Sequence, residues 1–423
     1  MNDSIHVKRP RKDRIARDLF KLSEITDPRY KGWTRLAFTE IYNQGRRWIR
    51  NQMTAAGLDT SMDAAANLIG RLEGENPGFP PLIIGSHTDT VINGGRYDGT
   101  AGVLAGIEIA RLLSENNIRL RHTLEIIDFT AEEPTSFGIS TIGSKAIAGN
   151  LSGEMLELKD PNGRTLAQAI KAAGGSPAHI PGQHRRRGDI AAYLELHIEQ
   201  GPVLEQTGKE LGVVRGIVGI DRFFLRVTGS PDHSGTTPMG LRRDSLAGAA
   251  EMILALERLC GDAAPGSLVG TIGKIQVSPN AANVVAGETV LDAEIRSLDN
   301  KLMVSTAEQF LSDCTRIAER RGLSLLSRRM SHTSPVVIDP IMMGTVQAAC
   351  SQVSGKWMEL TSGAGHDANQ MACIAPVGMI FVPSAGGRSH CPEEYTDIIN
   401  VVKGTEALLG CILQLDTHNS LHT

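Results

Sequence analysis

Short apolar runs alternate with longer segments of helical spacing over most of the chain. Several runs have the length and the flanking polar or glycine residues of buried strands: Leu82–Ile84, Leu124–Phe129, Tyr193–Ile198 and Val377–Val382. Between the first two, residues 99–113 have the small and aliphatic side chains of a helix that packs on a sheet. This alternation predicts an α/β fold with a mainly parallel sheet.

The pattern changes near Gly212. The segments 222–228, 267–277 and 288–296 indicate strands, and the segments 242–259 and 301–321 indicate helices between and after them. This order is typical of a small open α+β sheet with its helices on one face. We therefore expect two domains: one formed by residues 1–214 and 335–423, and a second formed by residues 215–334 and inserted into the first.

Length and composition agree with this organisation. At 423 residues the chain exceeds the size at which one core keeps growing. Its formal net charge of −4 gives no reason to expect a nucleic-acid partner. We interpret the basic opening, Lys8 to Arg17, as a solvated arm that leads into helical spacing over residues 14–56. No apolar segment has the roughly 18 residues of a membrane span, and the first thirty residues lack the apolar core expected of a secretory signal. The six cysteines form no CxxC pair, which favours reduced core residues and the cytoplasm.

Metal-ligating residue types follow several of the predicted strands. They are His87, Asp98, Glu132, Glu133, His197 and His390. Because parallel strands present their carboxyl ends at one edge of a sheet, these side chains can converge there. A single histidine at a strand end is more often structural. Together, however, these groups would be costly to bury without a cation among them. Imidazole and carboxylate ligands suit zinc, manganese, cobalt or nickel.

If these residues bind metal, two further roles can be predicted for their neighbours. Of the adjacent Glu132 and Glu133, one can bind metal while the other accepts a proton from an attacking water. Asp89, two residues after His87, can orient the imidazole through its other ring nitrogen. The alternative for Asp89 is to cap a turn.

Six segments give the chain a strong resemblance to a known family. They are GSHTDTV (85–91), GGRYDGTAGVLAG (94–106), ELHIEQGPVLE (195–205), HSGTTPM (233–239), SGAGHDA (362–368) and SHCPEEYT (389–396). The chain resembles the M20-type metallo-amidohydrolases. Within them it is most similar to the branch of N-carbamoyl-L-amino-acid hydrolases, allantoate amidohydrolases and β-ureidopropionases. The resemblance extends from about residue 30 almost to the end of the chain.

The resemblance implies two divalent metal ions per subunit, bridged by Asp98. One would be completed by His87 and His197, and the other by Glu133 and His390. Glu132 would be the general base. A histidine at position 197 is typical of the carbamoyl and allantoate branch, whereas other members of the superfamily carry an acidic residue there.

The resemblance also implies that the inserted domain is a lid that forms a homodimer. His233 would approach the reacting carbonyl from the partner subunit, and Asn283 and Arg296 would hold the substrate carboxylate. Further substrate contacts would come from Gln200, Gly363 and Gly365. Without the family, Arg296 would be interpreted as a surface residue of a strand.

The expected activity is metal-dependent hydrolysis of the carbamoyl C–N bond of an N-carbamoyl-L-amino acid. Allantoate, a β-ureido acid and an N-acyl amino acid are alternative substrates, and the sequence leaves their order open. One departure affects this choice: EEPTSFG (132–138) replaces the EEGSRF of many members, beside the expected substrate pocket.

Other classes of protein fit less well. A serine hydrolase would need GxSxG, which the sequence lacks. A cysteine amidase would need Cys391 and His390 to face each other, whereas neighbours on an extended segment diverge. A non-catalytic protein with this fold would be expected to lose the base or a ligand.

Overall fold

The computed structural model describes residues 9–264 and 266–417, and it divides the chain into two compact units. One unit contains residues 1–215 and 338–423, and the other contains residues 216–337. The termini, 1–8 and 418–423, lie outside the described residues, and so does Lys8 of the basic opening.

The strands are β1 (Asp59–Met62), β2 (Leu68–Leu72), β3 (Leu82–His87), β4 (Leu124–Phe129), β5 (Ala192–Ile198), β6 (Leu211–Ile217), β7 (Gly219–Thr228), β8 (Leu268–Ser278), β9 (Glu288–Ser297), β10 (Ser324–Thr333), β11 (Val336–Val337), β12 (Trp357–Ser362) and β13 (Val377–Val382). The α-helices are α1 (Lys12–Ser23), α2 (Glu40–Ala55), α3 (Thr100–Glu115), α4 (Ile142–Ile147), α5 (Gly153–Leu156), α6 (Leu166–Ala172), α7 (Ile180–Gln183), α8 (Val203–Gln206), α9 (Ser245–Gly261), α10 (Asn300–Arg320), α11 (Pro340–Val353), α12 (Asp367–Met371) and α13 (Ile398–Thr417).

The larger sheet has a parallel centre, β4-β3-β5-β13, with antiparallel strands on both sides. Every residue of these four strands is buried, which explains why they appear as continuous apolar runs in the sequence. Two polar exceptions in β4 are paired: Glu125 with Arg185, and Asp128 with Arg46. The predicted α/β fold with a mainly parallel sheet is confirmed, and the carboxyl ends of the central strands form one edge.

The inserted unit has a separate antiparallel sheet in the order β10-β7-β9-β8. Helices α9 and α10 pack on it, and alternate residues of β7 and β9 fill the core between them. The predicted α+β character is confirmed, but the sequence interpretation missed β10. This strand lies at a sheet edge and is mostly exposed, so it lacks an apolar pattern.

The N-terminal expectation was partly wrong. Helical spacing over residues 14–56 resolves into α1 and α2, with a nonhelical segment between them. Arg14 is not solvated: its guanidinium lies 2.5 and 2.7 Å from the two carboxylate oxygens of the buried Glu108 on α3. This pair attaches α1 to the core.

Helix α13 corrects the expectation that no segment reaches the length of a membrane span. By length and composition alone its 20 residues could cross a membrane, but half of the relevant window is buried inside the structure. The helix packs against α3, α11, β5 and β13. This environment is that of a core helix.

Candidate metal centre

The sheet edge brings the predicted ligands together. His87 is the last residue of β3, and His197 precedes the last residue of β5. Glu132 and Glu133 follow the end of β4, and His390 follows β13. Asp98 lies just before α3. Because β3, β4, β5 and β13 run parallel, these segments reach the same edge.

The side chains form two groups that share Asp98. His87, Asp98 and His197 offer ligand atoms within 4.8 Å of one another, and so do Asp98, Glu133 and His390. Asp98 Oδ1 lies 3.5 Å from His87 Nε2 and 3.1 Å from His197 Nε2. Its Oδ2 lies 3.4 Å from His390 Nε2, which is 3.2 Å from Glu133 Oε1. The two oxygens of one carboxylate therefore face two different ligand groups.

Glu132 and Glu133 diverge because Ala131, just before them, adopts a left-handed backbone with φ of 54°. Glu132 Oε2 lies 3.7 Å from His87 Nε2, whereas Glu133 turns to His390. Both glutamates are buried. Glu133 thus belongs to the group of Asp98 and His390, whereas the Glu132 carboxylate lies beside the group of His87, Asp98 and His197.

Asp89 holds the backbone beneath these glutamates. Its carboxylate accepts the N–H groups of Glu132 and Glu133 at 3.2 and 3.1 Å. The Nδ1 atom of His87 is closest to the backbone carbonyl of Asp89, at 3.1 Å, with the carboxylate at 3.6 Å. The Asp89 carboxylate thus caps the turn that carries the two glutamates, and both its carbonyl and its carboxylate lie near the imidazole of His87.

Burial and mutual attraction shape the charges of the site. Burial raises the pKa of Glu132 well above its usual value and also raises that of Glu133. Burial opposes protonation of His87, but the carboxylates of Glu132, Asp89 and Asp98 outweigh it and raise the pKa of the imidazole. Hydrogen bonds to Asp98 and Glu133 raise the pKa of His390 to about 11. A proton on His390 therefore compensates the carboxylates of Asp98 and Glu133, as a cation would.

The substrate-contact candidates fall into both units. In the first, Gln200 Nε2 donates to Asp98 Oδ2 at 2.6 Å, so Gln200 contacts a ligand candidate. Gly363 and Gly365 lie in the loop between β12 and α12.

In the inserted unit, the loops of His233 and Asn283 are adjacent, since Ser234 N–H donates to the Asn283 carbonyl at 3.0 Å. Arg296 lies on β9, where its guanidinium contacts Glu294 Oε1 at 2.6 Å. The His233 and Asn283 side chains are exposed.

Sequence reasoning missed His366 and Glu195, which lie beside this centre. His366 stacks edge-on against His197 with 4.6 Å between ring centroids, and its ligand atoms cluster with those of Glu195 and His197. Glu195 accepts hydrogen bonds from Ser86, Tyr193 and the Ala368 N–H. Glu195 precedes His197 by two residues on one face of β5, so strand periodicity could have indicated it.

Comparisons with known proteins extend over both units. The family model for peptidase family M20/M25/M40 matches residues 83–414. N-carbamoyl-L-amino acid amidohydrolase of Geobacillus stearothermophilus is 38% identical over 403 residues, covering 95% of this chain and 98% of the relative. Allantoate amidohydrolase of Escherichia coli K12 is 34% identical, with 91% and 93% covered. A hydantoinase/carbamoylase-family amidase from Burkholderia multivorans superimposes with a TM-score of 0.90 at 31% identity, with 97% and 99% covered.

Proposed function

The chain belongs to peptidase family M20/M25/M40, and we propose that it hydrolyses the carbamoyl C–N bond of an N-carbamoyl-L-amino acid. The products are the amino acid, CO2 and ammonia. The observation that carries the proposal is the shared carboxylate of Asp98, with one oxygen in each of two ligand groups and the buried Glu132 beside them. The relative from Geobacillus stearothermophilus supports the substrate class.

The donor set fits two divalent cations. Imidazole nitrogens and carboxylate oxygens are the ligands of zinc, manganese, cobalt and nickel, and the ligand atoms of each group lie close together. His87, Asp98 and His197 would hold one cation, and Asp98, Glu133 and His390 the other. Such cations would polarise the scissile carbonyl and lower the pKa of an attacking water.

Glu132 moves the proton in this proposal. It takes a proton from the water as the water oxygen bonds to the carbamoyl carbon. It then returns that proton to the amino-acid nitrogen as the C–N bond breaks, and the carbamate that is released decomposes to CO2 and ammonia. Its burial supports this role, because burial raises the pKa of the carboxyl well above its usual value and makes the carboxylate a stronger base.

Substrate binding is assigned to the remaining candidates. Arg296 and Asn283 hold the substrate carboxylate, because a guanidinium binds a carboxylate through two parallel hydrogen bonds. His233 stabilises the oxyanion from the partner subunit of a homodimer, and the inserted unit acts as the lid. Gln200, Gly363 and Gly365 complete the pocket.

The proposal also locates the protein in the cytoplasm. All six cysteines are free of disulfide bonds, and three of them are buried. Free cysteines are the usual condition of proteins in a reducing compartment.

Allantoate is the second candidate substrate. The relative from Escherichia coli supports it, and allantoate also carries a carboxylate beside a ureido group. The segment EEPTSFG (132–138) affects this choice, because it begins with the proposed base Glu132 and its later residues differ from those of many family members.

Ammonia release from the purified, metal-reconstituted protein tests the assignment, with N-carbamoyl-L-amino acids and allantoate assayed in parallel. We expect faster turnover of the carbamoyl amino acids, measured as kcat/KM. Faster turnover of allantoate would replace the substrate and keep the site roles. No turnover of either substrate, with both cations bound, would overturn the proposal.

A further inference from the structure

Glu394 is a buried carboxylate beside the centre that none of the roles above uses. It is 2% exposed and lies four residues after His390. Its Oε1 accepts the backbone N–H groups of Tyr97 and Asp98 at 2.8 and 3.1 Å. Hydrogen bonds from backbone N–H groups to an ionisable carboxyl are strong, so Glu394 fixes the peptide that carries the Asp98 side chain.

A single hydroxyl also links Glu394 to the Asp98 carboxylate. Ser389 Oγ lies 3.0 Å from Glu394 Oε2 and 2.7 Å from Asp98 Oδ2. Asp98 is therefore held at its backbone by Glu394 directly and at its side chain through Ser389.

Gly95 leaves space for the side chain of Glu394, because it has no side chain of its own. A Cβ atom on Gly95 would lie 2.0 Å from the Cδ atom of Glu394, so no side chain fits there without moving the carboxylate. On the other side, the rings of Tyr97 and Tyr395 pack edge to face at 5.8 Å. The segment that carries Asp98 thus packs against the segment that carries His390.

From these contacts we infer that Glu394 is a positioning residue that sets the direction of the Asp98 carboxylate, so that its two oxygens face the two ligand groups. The inference rests on the proposed function, because it takes Asp98 as the shared ligand. Groups that orient a metal ligand typically contribute 10- to 100-fold to metal affinity or activity.

Glu394→Gln tests this role, with Glu393→Gln as the matched control. Glu393 is the neighbouring acid, but its side chain is 58% exposed and its ion pair with Arg388 spans 3.6 Å. Gln has the shape of Glu394 but only one oxygen. If that oxygen accepts the two backbone N–H groups, an NH2 group replaces the oxygen that lies beside Ser389. The full-length protein is stripped of metal and titrated with Co²⁺, and affinity, stoichiometry and the visible spectrum are recorded.

We expect Glu394→Gln to bind at least one Co²⁺ about 10- to 100-fold more weakly, with an altered spectrum, whereas Glu393→Gln matches the wild type. Wild-type affinity and spectrum in folded Glu394→Gln would overturn the inference. If this variant does not fold, Ser389→Ala replaces it, since that change removes only the hydroxyl link. Wild-type Co²⁺ binding by Ser389→Ala would then overturn the inference.

The same titration separates this inference from the proposed function. A wild-type protein that binds fewer than two Co²⁺ overturns both. A wild-type protein that binds two Co²⁺ but releases no ammonia from any of the substrates overturns the proposed function alone, and the variant comparison still decides the role of Glu394.

Discussion

The carboxylate of Asp98 contacts His197 through Oδ1, at 3.1 Å from the imidazole Nε2. The other oxygen, Oδ2, contacts Gln200, Ser389 and His390. The Asp98 carboxylate therefore belongs to both proposed ligand groups. His87 and His197 belong only to the first of these two groups, and His390 only to the second.

This connection predicts unequal effects of ligand substitutions. Asp98→Ala should lose both cations, whereas His390→Ala should lose one and keep the other. Elemental analysis of the gel-filtered protein counts the cations per chain. His184→Ala is the control, because this half-buried histidine belongs to neither ligand group and its ring contacts the nearby Pro181 carbonyl at 2.8 Å. Equal cation counts in Asp98→Ala and His390→Ala would contradict the shared role.

Cation binding should release protons. In the metal-free site the neighbouring carboxylates raise the pKa values of His87 and His197, and hydrogen bonds to Asp98 and Glu133 raise the pKa of His390 to about 11, so the His390 imidazole is protonated at neutral pH. Because only the neutral imidazole binds metal, the cation held by His390 must displace a proton, and its affinity should rise with pH. Calorimetric titration with Zn²⁺ in buffers of different ionisation enthalpy measures the number released. No proton release at pH 7 would contradict the assigned ligands.

Arg296→Lys should raise KM more than it lowers kcat. Lysine keeps the positive charge but cannot form the two parallel hydrogen bonds of a guanidinium with a carboxylate. We expect a loss of about 10-fold or more in kcat/KM, equivalent to about 1.4 kcal/mol. Arg222→Lys is the matched control, since Arg222 also contacts Glu294 but is assigned no substrate. The same loss in both variants would show that the charge pattern of the strands, rather than a substrate contact, is responsible.

Arg14→Ala should destabilise the fold by about 3 kcal/mol, because it leaves the fully buried Glu108 without its closest partner. Arg17→Ala is the control. Arg17 is 58% exposed, and its partner Asp18 keeps a second ion pair with Arg111 at 2.6 Å. Its loss should cost less than about 1 kcal/mol. Urea unfolding at matched metal content measures both values, and equal losses would contradict the anchoring role of Arg14.

Much of the fold could be predicted because its central strands are buried on both faces. The bounds of β4 and β13 agree with the apolar runs, and the run at Leu82–Ile84 became β3. The edge strand β10 gave no such signal, since its side chains are exposed. Arg14 was misjudged because its partner Glu108 is 94 residues away, beyond the reach of local patterning.

In the candidate site, too, local sequence patterns indicated some residues, whereas contacts between distant residues could not be predicted. Ligand types at strand ends indicated His87, His197 and the two glutamates, since parallel strands share one edge. The contacts of Glu394 join residues almost 300 positions apart, 297 for its bond to Tyr97. The contact from Asp89 to the Glu132 N–H depends on a turn after β4 that only the folded backbone reveals.

The most direct test of the account is ammonia release by Glu132→Gln, with the bound cations counted on the same sample. Gln fits the same space and cannot accept the proton, so we predict two cations per chain and a loss of about 100-fold or more in kcat. Ammonia release close to the wild-type rate, with both cations bound, would contradict the claim that Glu132 is the base of a two-cation amidohydrolase.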